Sequence, residues 1–319
     1  MMSGYVISRT YDPKLPKLTA TEFMARRFTR LYPLIFLGVL LGSAALTVRA
    51  ITRHDPGFAQ VGVDTLCALF VLPSFYLSDY SIRVFDLNPP LWSMFFELGV
   101  SLIFALTFSA LRRPARLLGV VLLSATLLAA SSIVLNQGAF GPVYFPLGGL
   151  RVSFSFFAGV ALSRARFLDA LQNKIPGISI VFLAIILSFI LLNGQPENSF
   201  TYLINTFLYF PLIISVAVCA RQPTGVFGRI LITAGIISFP VYAIHHPIIR
   251  AIYSLPVVHN LGELERRFVL AGTVCATSAA AWAVAVSYDP YVKGLLSRSG
   301  WLRAHLRHVQ SGNGDPSWR

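Results

Sequence analysis

Charge is what this sequence is short of. Only 12% of its 319 residues are Asp, Glu, Lys or Arg, against about 25% in a soluble domain. Hydrophobic residues make up 55%, so a water-soluble fold of this length lacks the polar side chains to cover its surface. Cysteine is scarce as well. Cys67, Cys219 and Cys275 lie in apolar stretches without ligand-like spacing, which speaks against a disulfide scaffold and against a cysteine metal site. No Gly-x-Ser-x-Gly occurs, so a soluble serine hydrolase finds no support. No internal repeat, low-complexity tract or polar linker divides the chain. Acidic residues number 13 against 26 Lys and Arg, a net charge of +13. The basic residues flank the apolar runs, where they set topology beside lipid headgroups. They are not read as a nucleic-acid surface.

What the sequence has in quantity is long apolar runs. A spanning helix needs about 20 mostly apolar residues. Eight runs qualify: Leu31–Val48, Leu91–Leu111, Leu117–Leu135, Leu147–Ser163, Ile175–Leu192, Phe200–Ala220, Ile230–Ser254 and Phe268–Tyr288. A ninth, Val61–Leu77, is short and contains Asp64 and Pro73. Loop charges arbitrate. With eight crossings, Arg9–Arg30, Arg112–Arg116, Arg164–Lys174, Arg221–Arg229 and the C-terminal tail all fall on the cytoplasmic side, as the positive-inside rule prefers. A ninth crossing would force Arg112, Arg113 and Arg116 outside. The expected fold is therefore an all-α, polytopic membrane bundle of about eight crossings, with both ends cytoplasmic. Val61–Leu77 is then re-entrant or packed at the outer face. One membrane domain is expected over 1–296. A basic tail follows over 297–319, where Trp301, Leu302, His305, Leu306 and Val309 share a helical face suited to the inner leaflet.

Ionisable side chains inside a bilayer are costly and mark function by default. Glu97, Arg151 and the His245–His246 pair stand within the runs. Counting about 1.5 Å per residue from the helix ends puts Glu97, Arg151 and His245 in one outer third. That is the depth a shared polar cavity would need. Glu97 could also simply neutralise Arg151, and Arg151 could snorkel to its helix end. Ser238 and Tyr242 lie on the histidine side at helical spacing, and Pro240 and Pro247 predict kinks. At the opposite end, Arg26, Arg27 and Arg30 precede Leu31. Arg26 and Arg30 share a face at i,i+4, which suits either membrane anchoring or a grip on phosphate.

Taken in order, these segments resemble membrane acyltransferase family 3. RRFTRLYPL (Arg26–Leu34) resembles its basic motif. NPPLWSMFFE (Asn88–Glu97) resembles its Pro-Leu-Trp-Ser…Glu motif, the most specific match. SFFAGVALSR (Ser155–Arg164) resembles its aromatic–glycine segment. ISFPVYAIHHPII (Ile237–Ile249) resembles its Ser-Tyr-Pro-x-Tyr-x-x-His-x-Pro segment, with Phe239 in place of the usual Tyr. SYDPYVKGLL is a weaker echo of the closing motif. The resemblance implies transfer of an acyl group, usually acetyl, from cytoplasmic acyl-CoA to a hydroxyl of an envelope or exopolysaccharide sugar, at a bacterial inner membrane. The implied partners are acyl-CoA as co-substrate, a glycan or glycolipid acceptor and the bilayer, with no nucleic acid, bound cofactor or metal. His245, Glu97 and Arg151 are the expected catalytic residues. Arg26 and Arg30 are expected to hold the acyl donor, and Trp92, Ser93, Tyr242 and His246 to hold the acceptor or support the site.

The resemblance also implies a first helix carrying an Arg and a catalytic His. MMSGYVIS (Met1–Ser8) is similar to the end of the family's second helix, so the expectation is a chain that begins after those elements. Two further readings stay open: a transporter or flippase of an envelope glycan intermediate, and an inactive remnant.

Overall fold

A computed structural model describes residues 1–53, 58–74, 76–78, 81–134, 145–177, 199–221 and 223–298, with scattered positions between 179 and 189. In chain order the elements are α1 (Met2–Tyr11), α2 (Ala20–Arg53), α3 (Phe58–Leu69), a hairpin of β1 (Tyr76–Ser78) and β2 (Ser81–Arg83), α4 (Leu91–Leu111), α5 (Pro114–Val134) and α6 (Phe145–Ser163). Then come α7 (Arg166–Leu171), α8 (Ser199–Ile204), a π-helical turn (Asn205–Tyr209), α9 (Phe210–Cys219) and α10 (Gly225–Tyr253). The described chain closes with α11 (Glu263–Ala283), a second π-helical turn (Val284–Tyr288) and α12 (Asp289–Arg298).

Among the described residues, seven helices are long and apolar enough to cross a membrane: Ala20–Ile51, Leu91–Leu111, Pro114–Val134, Phe145–Ser163, Tyr202–Cys219, Gly225–Tyr253 and Glu263–Leu296. The protein is a multi-pass helical membrane bundle, as the apolar runs predict. Most of the expected run Ile175–Leu192 lies outside the described residues, as does the amphipathic face Trp301–Val309. Leu106, Leu122, Ile232 and Val274 are exposed on their helices, which is how a side chain that meets lipid tails is placed. The weak ninth segment does not form a spanning helix. α3 has 12 residues, about 18 Å of helix, and the antiparallel hairpin β1–β2, paired Tyr76 to Arg83, follows it.

The chain divides into two compact units. Unit 1 holds Met1–Leu18 and Gly99–Ile230; unit 2 holds Thr19–Leu98 and Leu231–Arg319.

In unit 1, α1 packs on α6 through small residues. Gly4 and Ser8 on α1, and Gly159 and Ser163 on α6, are each four apart, the small-xxx-small spacing that lets helices meet backbone to backbone. The approach is close enough that a Cβ on Gly4 would lie 2.0 Å from the Phe156 carbonyl oxygen, and one on Gly159 would lie 2.0 Å from that of Met1. Ser163 donates to Ser8 at 2.6 Å. Leu128, Leu147 and Phe154 form a core beside α5, with Tyr202 and Phe207 packed against it. At the end of α6, Arg164 grips Asp12 through Nε and Nη2 and donates from Nη1 to the Leu111 carbonyl.

In unit 2, α2 is the longest element, 34 residues with Pro33 inside, about 51 Å. Leu34 packs with Ala243, Ile244 and Ala281 in a buried cluster joining α2, α10 and α11. Tyr288, at the end of the second π-helical turn, donates to the Pro33 carbonyl at 3.1 Å. The segment before α4 lies along the middle of α2. A Cβ on Gly42 would meet the Leu87 carbonyl at 2.5 Å, and one on Gly38 would meet the Asn88 amide at 2.8 Å.

Candidate active site

Three helices of unit 2 bring polar side chains together. On α2, Arg27 lies on the buried face with Leu31 and Leu34. Those residues and Gly38 follow i, i+4, i+7, i+11 spacing, one face of a helix. Its guanidinium Nη2 donates to Glu97 Oε1 of α4 at 2.5 Å, with the Arg27 side chain 6% and the Glu97 side chain 21% exposed. A buried carboxylate needs such a partner, because removing either charge from water is costly unless it is paired. Arg26 is half-buried, and its Nε has no hydrogen-bond partner among the described residues. Arg30 is exposed. The donor residues expected from i,i+4 spacing therefore flank a third arginine that faces inward.

This contact corrects the depth expected for Glu97. The sequence count placed Glu97 in the outer third and the arginines at the opposite face. An ion pair requires both at one level. The count failed because it started α4 at the membrane face, whereas the preceding residues Leu87 and Asn88 already sit beside Gly42 and Gly38, well down α2. From Gly38 to Arg27 is eleven residues, about 16 Å of helix. His245 stands near the Gly38 end of that interval, because the carbonyl of Ala243, two residues before it, is the atom a Cβ on Gly38 would strike at 2.4 Å. Glu97 and His245 are bridged within this interval: Ser93, one turn before Glu97 on α4, lies 2.5 Å from the Tyr242 oxygen, and the Tyr242 and His245 rings are 6.0 Å apart.

The rest of the site is built on α10. His245 Nδ1 lies 3.1 Å from the Val241 carbonyl and 3.0 Å from that of Tyr242. Both are acceptors only, so Nδ1 carries the proton. In the neutral ring the lone pair is then on Nε2, which has no hydrogen-bond partner among the described residues. The backbone thus selects the tautomer, with no carboxylate required. One turn back, Tyr242 donates its phenol proton to the Pro90 carbonyl at 2.8 Å. Ser93 Oγ lies 2.5 Å from the Tyr242 oxygen. Ser93 Oγ also lies 3.3 Å from the Pro90 carbonyl, so the two hydroxyls converge on one acceptor. His246 stands edge-on to His245, with ring centroids 6.4 Å apart, and Trp92 stands edge-on to Phe96 at 6.3 Å. Arg250 closes this part of the site by donating to the Asp86 carbonyl at 2.6 Å and to its carboxylate at 3.1 Å.

Arg151 belongs to unit 1. Its guanidinium lies 4.8 Å from the centre of the Tyr202 ring, a cation–π contact, and its Nε is buried without a hydrogen bond among the described residues.

Sequence reasoning missed Arg27 as the partner of Glu97, Asn88 as a buried donor to α10, and the Asp86–Arg250 pair. The apolar spacing from Arg27 to Gly38 was the one local signal for the first. Separations of 155 and 164 residues hide the others.

Residues 1–288 match the model of acyltransferase family 3, described as an acyltransferase domain. No curated protein and no solved structure matches the chain. The match covers most of the 319 residues, so the chain belongs to this family of acyltransferases.

Proposed function

We propose that this member of acyltransferase family 3 moves an acyl group, acetyl from acetyl-CoA in the first instance, to a hydroxyl of a cell-envelope or exopolysaccharide sugar at a bacterial inner membrane. The observation that carries the reading is the run of polar side chains in unit 2 from the Arg27–Glu97 pair through Ser93 and Tyr242 to His245. Arg26 and Arg30, beside the Arg27–Glu97 pair, offer guanidinium forks suited to the phosphates of CoA. At the other end of that run stands a histidine with its basic nitrogen open. The pantetheine arm of CoA is a flexible chain made to carry a thioester away from its phosphates, and this layout gives each end a partner.

In the reaction, the acceptor oxygen attacks the thioester carbonyl carbon while its proton passes to His245 Nε2. Histidine suits this because its ordinary pKa is near neutrality. The Val241 and Tyr242 carbonyls, already bound to Nδ1–H, favour the imidazolium that forms. The tetrahedral intermediate collapses with cleavage of the carbon–sulfur bond. The CoA sulfur leaves with the proton that His245 returns, and the ester remains on the acceptor. Glu97 neutralises Arg27, which leaves Arg26 and Arg30 as the cations for the donor. Trp92, Ser93, Tyr242 and His246 form the polar and aromatic surroundings in which an acceptor hydroxyl is oriented.

The test is label transfer. Membranes carrying the protein, given acetyl-CoA labelled in the acetyl group and an envelope glycan fraction, should yield base-labile label on the glycan. Movement of the glycan across the membrane with no ester formed would overturn the reading in favour of transport.

A further inference from the structure

We propose that Asn88 is a positioning residue for His245, its side-chain amide standing in for the backbone N–H that Pro247 lacks. Inside a helix, each carbonyl accepts from the N–H four residues later. Pro247 has no N–H, so the carbonyl of Ala243 is left without its helical partner in the middle of α10. The Asn88 Nδ2 donates to that carbonyl at 2.8 Å. The donor is built for the place: Asn88 is 1% exposed, and the helix facing it is glycine at position 38, where a Cβ would lie 2.4 Å from the Ala243 oxygen and 2.8 Å from the Asn88 amide nitrogen.

The consequence falls on the histidine. The released carbonyl belongs to the turn that also supplies the Val241 and Tyr242 carbonyls to His245 Nδ1. The segment from Asp86 to Ser93 holds this stretch of α10 at three points. These are Tyr242 on Pro90, Asn88 on Ala243, and Arg250 on Asp86. Asn88 is the middle tie and the one nearest His245 in sequence. Without it, a buried carbonyl is left unpaired in the turn just before His245, and as that turn shifts the Val241 and Tyr242 carbonyls lose their places against Nδ1–H. The tautomer that leaves Nε2 free would then no longer be fixed.

This inference rests on His245 being the group that takes the acceptor proton, and the experiment separates the two. The full chain, labelled with 15N-histidine and solubilised in detergent, is compared as wild type, Asn88→Ala, Pro247→Ala and the double variant. The His245 signal is assigned by its loss in His245→Gln. Asn88→Ala should convert the single Nδ1–H tautomer into a mixture and lower acyl transfer about tenfold, the scale of an unpaired buried carbonyl. In the Pro247→Ala background residue 247 again has an N–H, so adding Asn88→Ala should change the tautomer little and the rate by less than about twofold. Asn88→Leu keeps the volume and loses the donor, and it carries the same expectations where Asn88→Ala does not accumulate. Equal losses in both backgrounds, or an unchanged tautomer in Asn88→Ala, would overturn the proposal. A tautomer shift that follows this pattern while His245→Gln retains full transfer would leave Asn88 as the holder of the turn and remove His245 as the base.

Discussion

Unit 1 and unit 2 both bring helix backbones into contact at glycines, yet they use the closeness differently. In unit 1, Gly4 and Gly159 let α1 and α6 touch along intact helices, and Ser8 and Ser163 bond across the seam. The result is a plain packing joint. In unit 2, Gly38 admits α2 to a place where α10 is interrupted by proline, and a buried amide fills the gap. Around it stand an ion pair, a phenol and a histidine with one nitrogen open. Closeness in unit 1 joins two helices; closeness in unit 2 also orders the polar side chains of the proposed site. Substitutions should therefore divide into those that cost folding alone and those that cost acyl transfer at preserved folding.

The largest effect is expected at the unit 1 seam. Gly159→Leu drives a side chain into the Met1 carbonyl and should abolish recoverable folded protein in size-exclusion chromatography. Gly119→Leu, on α5 with open space around it, should leave the elution profile unchanged. Next comes the unit 2 ion pair. Arg27→Ala takes a guanidinium from the partly buried Glu97 and should cost about 3 kcal/mol in detergent unfolding. Adding Glu97→Ala should recover part of that loss, because the carboxylate that the guanidinium neutralised is then gone as well. Equal or additive losses would show that the pair is not coupled.

A smaller pair of variants sharpens the contrast. Tyr242→Phe in unit 2 and Ser163→Ala in unit 1 each remove a side-chain donor worth about 0.6–1 kcal/mol in a membrane bundle. Their unfolding should shift alike, but only Tyr242→Phe should slow acyl transfer. The smallest effect belongs to Arg9→Ala. Its pair with Asp169 is 43% and 50% exposed, and its loss should change unfolding by less than about 0.5 kcal/mol.

The spans were legible because a bilayer demands length and apolarity, and both can be counted from Leu91–Leu111 or Pro114–Val134. The depth of Glu97 was not legible. Counting from Leu91 equates a helix start with the membrane face, and the segment through Leu87 and Asn88 breaks that equation by lying against mid-α2. The arginine motif was visible, but i,i+4 spacing shows only which residues share a face. Which face points inward follows from the apolar ladder Arg27, Leu31, Leu34, Gly38. Pro247 announced a broken hydrogen bond, and no local pattern could show that residue 88 repairs it. Gly4-xxx-Ser8 and Gly159-xxx-Ser163 were both in plain sight, but a joint needs two helices known to face each other.

The central claim is that an open His245 Nε2 takes the acceptor proton in unit 2. It is tested most directly by the rate of acetyl transfer to envelope glycan in membranes holding equal amounts of inserted wild-type and His245→Gln protein. The account predicts a loss of about a hundredfold or more, the usual scale of a general base. An unchanged rate in His245→Gln would contradict it.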